Sequence, residues 1–322
     1  MRVLITGITG FVGSHLTEFL LENHKDLQIF GLKRWRSPLT NLSLVINKVN
    51  FVDGELRDLA SILKIINDIK PDIIFHLAAQ SYVTSSFNYP SDTYNTNIIG
   101  TNNLLEAVRI SGSDPTIHVC SSSEVYGDVT PDNVPIDENC PLNPVSPYGI
   151  SKLAEDMIAR MYFKAYGLKT IISRMFTHSG PRRGDVFVDS AFSLQIARIE
   201  KGLQEPVLKV GNLDSVRTFC DVRDTVRAYW DLVEKGEPGS VYNIGGDTTL
   251  TIKEMLNLLL KKTVYNEEIK IFEDPSLRRP TDVTLQIPTY KKFNDLTGWS
   301  PQISYDQTLE DMLNYWRKEI ND

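Results

Sequence analysis

The chain has 322 residues, of which 41% are hydrophobic and 23% are charged, as is typical of a globular protein with one large domain or two. The formal net charge of −7 argues against nucleic acid as a partner, so an anionic ligand would have to be bound by local arginines. Three widely spaced cysteines, Cys120, Cys140 and Cys220, indicate neither a disulfide framework nor a metal site, and favour a reducing cytoplasm. The chain begins directly with an apolar strand and has no long apolar run, so we expect no signal peptide and no membrane partner.

Short apolar strands alternate with amphipathic helices through the first half of the chain. The strands are apolar on both faces, and the helices keep their apolar residues on one stripe, as Phe11, Leu16 and Leu20 do. This pattern predicts an α/β fold, a doubly wound parallel sheet of the Rossmann type with helices on both faces. In chain order we predict strand 2–6, helix 11–21, strand 27–32, strand 49–52, helix 59–69, strand 72–79, helix 97–110, strand 116–121, helix 148–166 and strand 169–176.

After residue 176 the pattern changes to a loop rich in Pro, Gly and Arg, followed by shorter mixed elements. We predict helix 187–201, helix 222–235 and strand 241–245, and further elements at 252–262, 270–272 and 308–316. Residues 1–176, joined by returning elements at about 218–246, are expected to form the Rossmann domain. Residues 177–217 and 247–322 are expected to form a smaller mixed α/β lobe laid on the large sheet.

A glycine-rich turn joins the first strand to the first helix, in the sequence M-R-V-L-I-T-G-I-T-G-F-V-G. Such a turn needs glycine where φ is positive, where the backbone meets a pyrophosphate and where helix and sheet pack closely. The position at a strand–turn–helix junction favours a dinucleotide site over an incidental tight turn. The turn residues expected to bind the dinucleotide are Gly7, Thr9, Gly10, Phe11, Val12 and Gly13.

The end of the second strand is basic. Sites that prefer NAD usually place an acid there for the adenosine ribose, whereas this chain has Lys33, Arg34 and Arg36 with Ser37 beside them. These residues favour a 2′-phosphate and therefore NADP, against the alternative of a solvated basic loop.

Tyr148 and Lys152 lie four residues apart at the start of a long predicted helix, so their side chains share one face. A phenol is a poor base at neutral pH, because its pKa is near 10. A neighbouring ammonium and an oxidised nicotinamide favour the phenolate. Beside a dinucleotide turn and a serine cluster at a neighbouring strand end, a catalytic role is favoured over a surface pair.

These motifs together resemble the extended short-chain dehydrogenase/reductases over essentially the whole chain. The resemblance rests on G-x-x-G-x-x-G at 7–13, L-A-A at 77–79, Asn97, the serines at 121–123 and Y-x-x-x-K at 148–152. Within that family the chain is most similar to the GDP-mannose 4,6-dehydratases and the GDP-4-keto-6-deoxymannose reductases. The stretches concerned are H-L-A-A-Q-S-Y-V at 76–83, S-S-F-N-Y-P at 85–90, P-R-R-G-D-V-F-V at 181–188, G-N-L-D-S-V-R at 211–217 and R-R-P-T-D-V at 278–283.

The resemblance implies an NADP-binding Rossmann domain and a lobe that binds a nucleotide sugar. Three arginines in three separate motifs suit the pyrophosphate of such a substrate, because guanidinium binds phosphate oxygens in bidentate fashion. The further positions implied for the cofactor are Leu56, Leu77, Ala78, Ala79, Ser81 and His178, beside Tyr148 and Lys152. Those implied for the substrate are Arg183, Arg217, Arg279, Asp282, Thr177 and Val188. Thr177 replaces the asparagine that is usual in the dehydratases.

Glu124 follows the strand with the serine cluster, and two possible reactions differ in whether they need its carboxylate. In a 4,6-dehydratase the hydroxyl at C4 is oxidised, a base removes the proton at C5, and the C6 hydroxyl leaves as water. Ser122 is expected to bind the C4 oxygen, and Glu124, with Ser123 or water, to act as base and acid. The alternative is an NADPH-dependent GDP-4-keto-6-deoxymannose reductase, which needs only the serine, tyrosine and lysine. A further alternative is a catalytically silent dinucleotide-binding protein.

The sequence also leads to expectations about assembly and location. Family members commonly form homodimers or homotetramers through helices of the Rossmann domain, which here correspond to 97–110 and 148–166. We expect a cytoplasmic enzyme of this kind, with a nucleotide sugar, a GDP-hexose by resemblance, as its small-molecule partner and with no bound metal.

Overall fold

The computed structural model describes residues 1–320. The strands are β1 (Arg2–Thr6), β2 (Gln28–Lys33), β3 (Asn50–Asp53), β4 (Ile73–His76), β5 (Thr116–Ser122), β6 (Thr170–Met175), β7 (His178–Ser179), β8 (Val207–Val210), β9 (Val216–Asp221), β10 (Val241–Ile244), β11 (Thr248–Thr251), β12 (Lys270–Glu273) and β13 (Leu285–Gln286). The helices are α1 (Phe11–Asn23), α2 (Leu59–Ile69), α3 (Val83–Asn88), α4 (Pro90–Tyr94), α5 (Gly100–Ser111), α6 (Pro147–Tyr166), α7 (Val188–Glu200), α8 (Val222–Lys235), α9 (Ile252–Leu260), α10 (Lys291–Thr297) and α11 (Tyr305–Glu319).

Seven strands form one parallel sheet in the order β10-β6-β5-β4-β1-β2-β3. Ile5 of β1 pairs with Gly31 of β2 on one side and with Phe75 of β4 on the other. The strand order therefore reverses at β1, and in sheets of this kind ligands bind in the crevice beyond the carboxyl ends at such a point. The predicted doubly wound parallel sheet is confirmed.

Each face of the sheet packs against its own helices. Val3 and Ile5 belong to the core under α1 and α8, whereas Leu4 faces the core under α2, α5 and α6. Successive residues of a strand point to opposite faces, so the strands of a sheet covered on both sides are largely apolar along their whole length.

The smaller lobe surrounds a core of its own between α7, α9 and α11. Phe219 on β9 packs there with Leu256 and Leu309. Strand β9 pairs with β7, β11 and β13, and β8 pairs with β12. The lobe thus presents β9 and the start of α7 towards the carboxyl ends of the large sheet.

One part of the predicted lobe packs elsewhere. Phe293 on α10 and Trp299 belong to the core beneath α8, not to that of the lobe, although the sequence-based division placed all of 247–322 in the lobe. Residues 321 and 322 of that predicted range lie outside the described residues. Among residues 1–320, no helix is long and apolar enough to cross a membrane.

The chain between β4 and α5 differs most from the prediction. The strand expected to run to residue 79 ends at His76, and the short helices α3 and α4 follow. The helix expected from residue 97 begins at Gly100, because residues Asn95–Ile99 form a wider π-helical turn. Such turns often occur at functional sites, and this one directs Asn97 to the loop after β4. Its side chain pairs with both the N–H and the carbonyl of Gln80, at 2.8 and 3.0 Å.

Candidate active site

A cavity of about 1590 Å³ lies between the carboxyl edge of the sheet and the smaller lobe. Its wall contains every residue predicted for the site except Arg36. The fold therefore assembles residues that are as far apart in the chain as Gly7 and Asp282.

The glycine turn forms a close-fitting cradle at the inner end of the cavity. A Cβ on Gly7, whose φ is +74°, would lie 2.8 Å from the Ala78 nitrogen, and one on Gly13 would lie 2.3 Å from the Gly7 oxygen. Helix α1 begins here with Gly10 at its N-cap, without a side-chain hydrogen bond to the helix nitrogens. Free N–H groups and the positive end of the helix dipole suit a pyrophosphate, so these residues fit a dinucleotide.

The basic loop after β2 only partly follows the prediction. Arg34 and Ser37 close a tight turn at the cavity, with a Ser37 N–H to Arg34 O distance of 2.8 Å. Lys33 also lines the cavity, but its ammonium is paired with Asp53 at 2.5 Å. The guanidinium of Arg36 lies 4.4 Å from the ring centroid of Trp35, outside the cavity wall. Arg34 and Ser37 therefore remain the groups best placed for a 2′-phosphate.

Ser122 and Tyr148 meet where β5 ends and α6 begins. Ser122 lies beside the Tyr148 phenol and lowers its pKa, and Ser146 fixes the start of α6 because its hydroxyl accepts the Gly149 N–H at 3.0 Å. Burial raises the pKa of Tyr148 to about 12, although the Lys152 ammonium acts in the opposite direction. The phenol is therefore protonated at neutral pH unless further positive charge is brought to it.

Lys152 is buried, and its ammonium donates to Glu155 at 2.8 Å. Burial disfavours the charged lysine, but Glu155 and Tyr148 outweigh that effect and raise the pKa of Lys152 above its ordinary value. The lysine is consequently an ammonium throughout the neutral range, as a partner of a tyrosine base must be.

Glu124 faces the cavity from the turn after β5. Burial raises the pKa of its carboxyl, against the opposing effect of Arg279 and Arg217. Those two arginines share Asp282, at 3.9 and 3.5 Å. A carboxyl in this setting is a stronger base than an exposed one, and is suited to proton transfer.

The loop after β7 bridges the cofactor turn and the lobe. The ring of His178 stacks parallel on Phe11 of the glycine turn, at a centroid distance of 5.9 Å. Arg183 pairs with Asp189 at 3.1 Å and lies over the Phe187 ring at 4.5 Å. Thr177 and Val188 flank this loop in the cavity wall. The guanidinium of Arg183 is thus held at the boundary between the two predicted ligand sites.

The hydroxyl of Ser123 is bonded to the smaller lobe. The serine lies in the cavity wall but is only 4% exposed, and its hydroxyl donates to Gln286 of β13 at 2.9 Å. That bond ties the turn after β5 to the lobe. This geometry favours a structural role for Ser123, and the catalytic role predicted for it beside Glu124 stays a prediction.

Two residues of the site escaped the sequence analysis. Gln286 has no local motif, because its partner is 163 positions away. Glu155 had a local signal, since it lies three residues after Lys152 on the same helix face, but its burial depends on α5 and the sheet.

Comparison with known proteins places these features in one family. Residues 4–312 match the family model described as GDP-mannose 4,6 dehydratase. The GDP-6-deoxy-D-mannose reductase of Pseudomonas aeruginosa is 33% identical, over 100% of this chain and 99% of that protein. The GDP-mannose 4,6-dehydratase of Yersinia enterocolitica is 32% identical, over 97% of this chain and 92% of that protein.

Solved structures agree with this relationship. The Pseudomonas aeruginosa reductase complexed with NADPH has a TM-score of 0.85 at 32% identity, with 99% of both chains covered. The UDP-glucose 4-epimerase of Thermotoga maritima with UDP-glucose has a TM-score of 0.88 at 29% identity, with 99% of this chain and 100% of that chain covered. The resemblance stated from the sequence is confirmed.

The Ser123–Gln286 bond leads to a test of the serine's role. We expect Ser123→Ala to lower the free energy of unfolding by about 1 kcal/mol, because a buried hydrogen bond is lost, and to leave turnover nearly unchanged. Urea denaturation and steady-state rates measure the two effects, with the exposed Ser43→Ala as control. A large loss of turnover at unchanged stability would show that Ser123 takes part in catalysis.

Proposed function

Because the chain belongs to the GDP-mannose 4,6-dehydratase family, we propose that it is a nucleotide-sugar 4,6-dehydratase that converts GDP-mannose into GDP-4-keto-6-deoxymannose. The observation that supports this reaction is the position of Glu124, a cavity-facing carboxyl with a raised pKa, at the end of the strand that also supplies Ser122. A reaction limited to hydride transfer would leave this carboxyl without a task.

NADP is the cofactor that we propose for the glycine cradle. The NADPH complex of the Pseudomonas aeruginosa reductase supports this choice, as do Arg34 and Ser37 at the cavity. Bound NADP would supply a hydride acceptor for C4 of the sugar and, once reduced, a hydride donor for C6. Lys152 would hold the nicotinamide ribose, and the Gly7 turn would hold the pyrophosphate.

Tyr148 and Ser122 serve the oxidation at C4. The phenolate of Tyr148 accepts the proton of the C4 hydroxyl, and the Ser122 hydroxyl donates to the same sugar oxygen. The positive charge of an oxidised nicotinamide beside Tyr148 would lower the pKa of this phenol, which burial raises to about 12 against the opposing effect of Lys152. The base is thus formed when the cofactor is present.

Glu124 serves the elimination that follows. The ketone at C4 acidifies the C5 proton, which the Glu124 carboxylate accepts. The protonated carboxyl then gives this proton to the C6 hydroxyl, which leaves as water, so that one group acts as base and then as acid. A proton from solvent would add at C5 together with hydride addition at C6, and Tyr148 would release its proton to solvent, so that the overall change is the loss of one water.

The substrate is assigned to the lobe side of the cavity. Arg217 and Arg279 provide two guanidinium groups that share a single carboxylate, that of Asp282, and so retain positive charge for a diphosphate. Arg183 supplies a third at the boundary with the cofactor. Asp282 is proposed to meet the nucleotide ribose, and Thr177 and Val188 to contact the nucleotide sugar.

The decisive experiment is incubation of the purified protein with GDP-mannose and NADP. We expect a product with a 4-keto group and a C6 methyl group, formed with no net consumption of the cofactor. As controls, Tyr148→Phe is expected to lower turnover by about 100-fold or more, and Tyr82→Phe, also in the cavity wall, to lower it little. Absence of a keto product, or full activity in Tyr148→Phe, would refute the assignment.

Replacing Glu124 separates the two halves of the reaction. Glu124→Gln cannot accept the C5 proton, so we expect oxidation at C4 to proceed while water loss falls by about 100-fold or more. Reduced cofactor absorbance then accumulates in a single turnover, and solvent deuterium no longer enters C5. Glu205→Gln, another acid of the cavity wall, should behave as the unaltered protein does. Undiminished elimination in Glu124→Gln would show that Glu124 is not the base.

A reductase is the second candidate, and the comparisons supply its support. The Pseudomonas aeruginosa reductase corresponds to this chain over 99% of its own length, and Ser122, Tyr148 and Lys152 suffice for hydride transfer. Stoichiometric loss of NADPH absorbance with GDP-4-keto-6-deoxymannose, and no reaction with GDP-mannose, would establish it. Tight NADP binding without turnover on either compound would instead indicate a silent dinucleotide-binding protein.

We further propose a cytoplasmic homodimer or homotetramer assembled through α6. Ile150, Met157 and Met161 lie on one helical face and are 44–46% exposed, an unusual amount of apolar surface for a monomer. Sedimentation should show an oligomer for the native chain, and Met157→Glu should weaken it. The matched control is Leu44→Glu, at a residue 84% exposed away from this face. A monomeric native chain would contradict the proposal.

A further inference from the structure

Glu155 is a buried carboxylate that the reaction described above does not use. It is 0% exposed, and its Oε2 accepts from the Lys152 ammonium at 2.8 Å. A carboxylate at this distance offsets much of the positive charge that Lys152 could otherwise direct to the Tyr148 phenol. A pair of this kind inside an active site therefore requires an explanation beyond packing.

A chain of polar groups holds the far side of this carboxylate. Thr101 of α5 lies against Glu155, and its hydroxyl is engaged with His76 Nε2 at 2.9 Å. The other nitrogen of His76 bonds to Thr6 of β1 at 2.8 Å. Within residues 1–320, Glu155 Oε1 has no direct hydrogen bond, so this oxygen is available to carry a proton.

The histidines and the cysteine around Lys152 and Glu155 each keep one charge state near neutral pH. Burial lowers the pKa of His76 and of His118 to about 3, which leaves both rings neutral. Burial also raises the pKa of Cys120, so its thiol stays protonated. Asp156, next to Glu155, is balanced by Arg174 at 2.8 Å.

The pKa of Glu155, in contrast, lies close to neutral pH. Burial raises the pKa of its carboxyl to about 7, although Lys152 opposes the shift. The carboxyl is therefore neutral on the acidic side of neutrality and charged on the alkaline side. Around the Lys152 ammonium, Glu155 and Tyr148 are left as the two groups that can supply a balancing negative charge.

We propose that Glu155 is a positioning residue that competes with the Tyr148 phenolate for the Lys152 ammonium, so that the protonation state of Glu155 decides how readily Tyr148 ionises. When Glu155 is charged, it holds the ammonium on the α5 side. When it is neutral, the phenolate becomes the anion that balances the buried ammonium. The inference rests on the proposed catalytic role of Tyr148 and Lys152, which the dehydratase and the reductase share.

The test measures the ionisation of Tyr148 in the full chain without substrate or cofactor. Ultraviolet difference absorbance is recorded against pH for the native protein and for Glu155→Gln. The spectrum of the matching Tyr148→Phe protein is subtracted from each, which isolates one tyrosine. We expect the Tyr148 midpoint to fall by about one pH unit or more in Glu155→Gln, because a like charge is removed and the ammonium is released.

Glu106→Gln is the matched control. Glu106 on α5 also bonds to a basic residue, Arg109, and to a phenol, Tyr162, at 2.6 and 3.0 Å, but these groups lie away from the cavity. We expect its removal to leave the Tyr148 midpoint unchanged. If Glu155→Gln does not fold, Glu155→Asp keeps the charge on a shorter side chain and should give a smaller shift in the same direction.

An unchanged or raised Tyr148 midpoint in the Glu155 variants would overturn the inference, as would an equal shift in Glu106→Gln. The pH dependence of turnover provides a second readout. The limb on which turnover rises with pH should move to lower pH in Glu155→Gln, because Tyr148 then ionises more readily, whereas a purely structural role would lower the rate at every pH alike. Because the titration needs no substrate, it stands even if GDP-mannose proves not to be converted.

Discussion

A buried ammonium on α6 constrains the rest of the active site. Lys152 is 3% exposed, and a buried charge is tolerated only with partners close by. Its nearest partner is Glu155 on the next helical turn, and the phenol of Tyr148 lies one turn before it. The three side chains form one electrostatic unit, in which the charge on one member alters the proton affinity of the others.

The fold keeps this unit in place by fixing α6 at several points. Ser146 caps the helix, and Asp156 joins it to Arg174 on β6 at 2.8 Å. Asn97 reaches Ser151 from the π-helical turn at 2.9 Å. Tyr148 and Lys152 are therefore held by the sheet and by α5, and the lobe that approaches the substrate does not have to position them.

The sequence was sufficient to predict the features that depend on local periodicity. All seven strands of the large sheet were predicted, because the strands of a doubly covered parallel sheet are largely apolar, and the glycine turn was predicted because its glycines are locally required. Features that depend on distant partners could not be predicted from the sequence. Arg36 stacks on its neighbour Trp35 outside the cavity, and Ser123 bonds to Gln286. Neither arrangement has a periodic signature, and the short helices α3 and α4 are likewise set by the loop that Asn97 anchors.

Glu124 shows how binding and chemistry are connected across the cavity. Arg279 and Arg217 lower its pKa, whereas burial raises it. A diphosphate bound to these arginines would offset their charge and exclude water, and both effects would raise the pKa of Glu124 further. The carboxylate would then be most basic when the sugar is in place. The arginines that we propose to bind the substrate would thereby prepare the proposed base for the proton at C5, so that loss of an arginine should weaken elimination as well as binding.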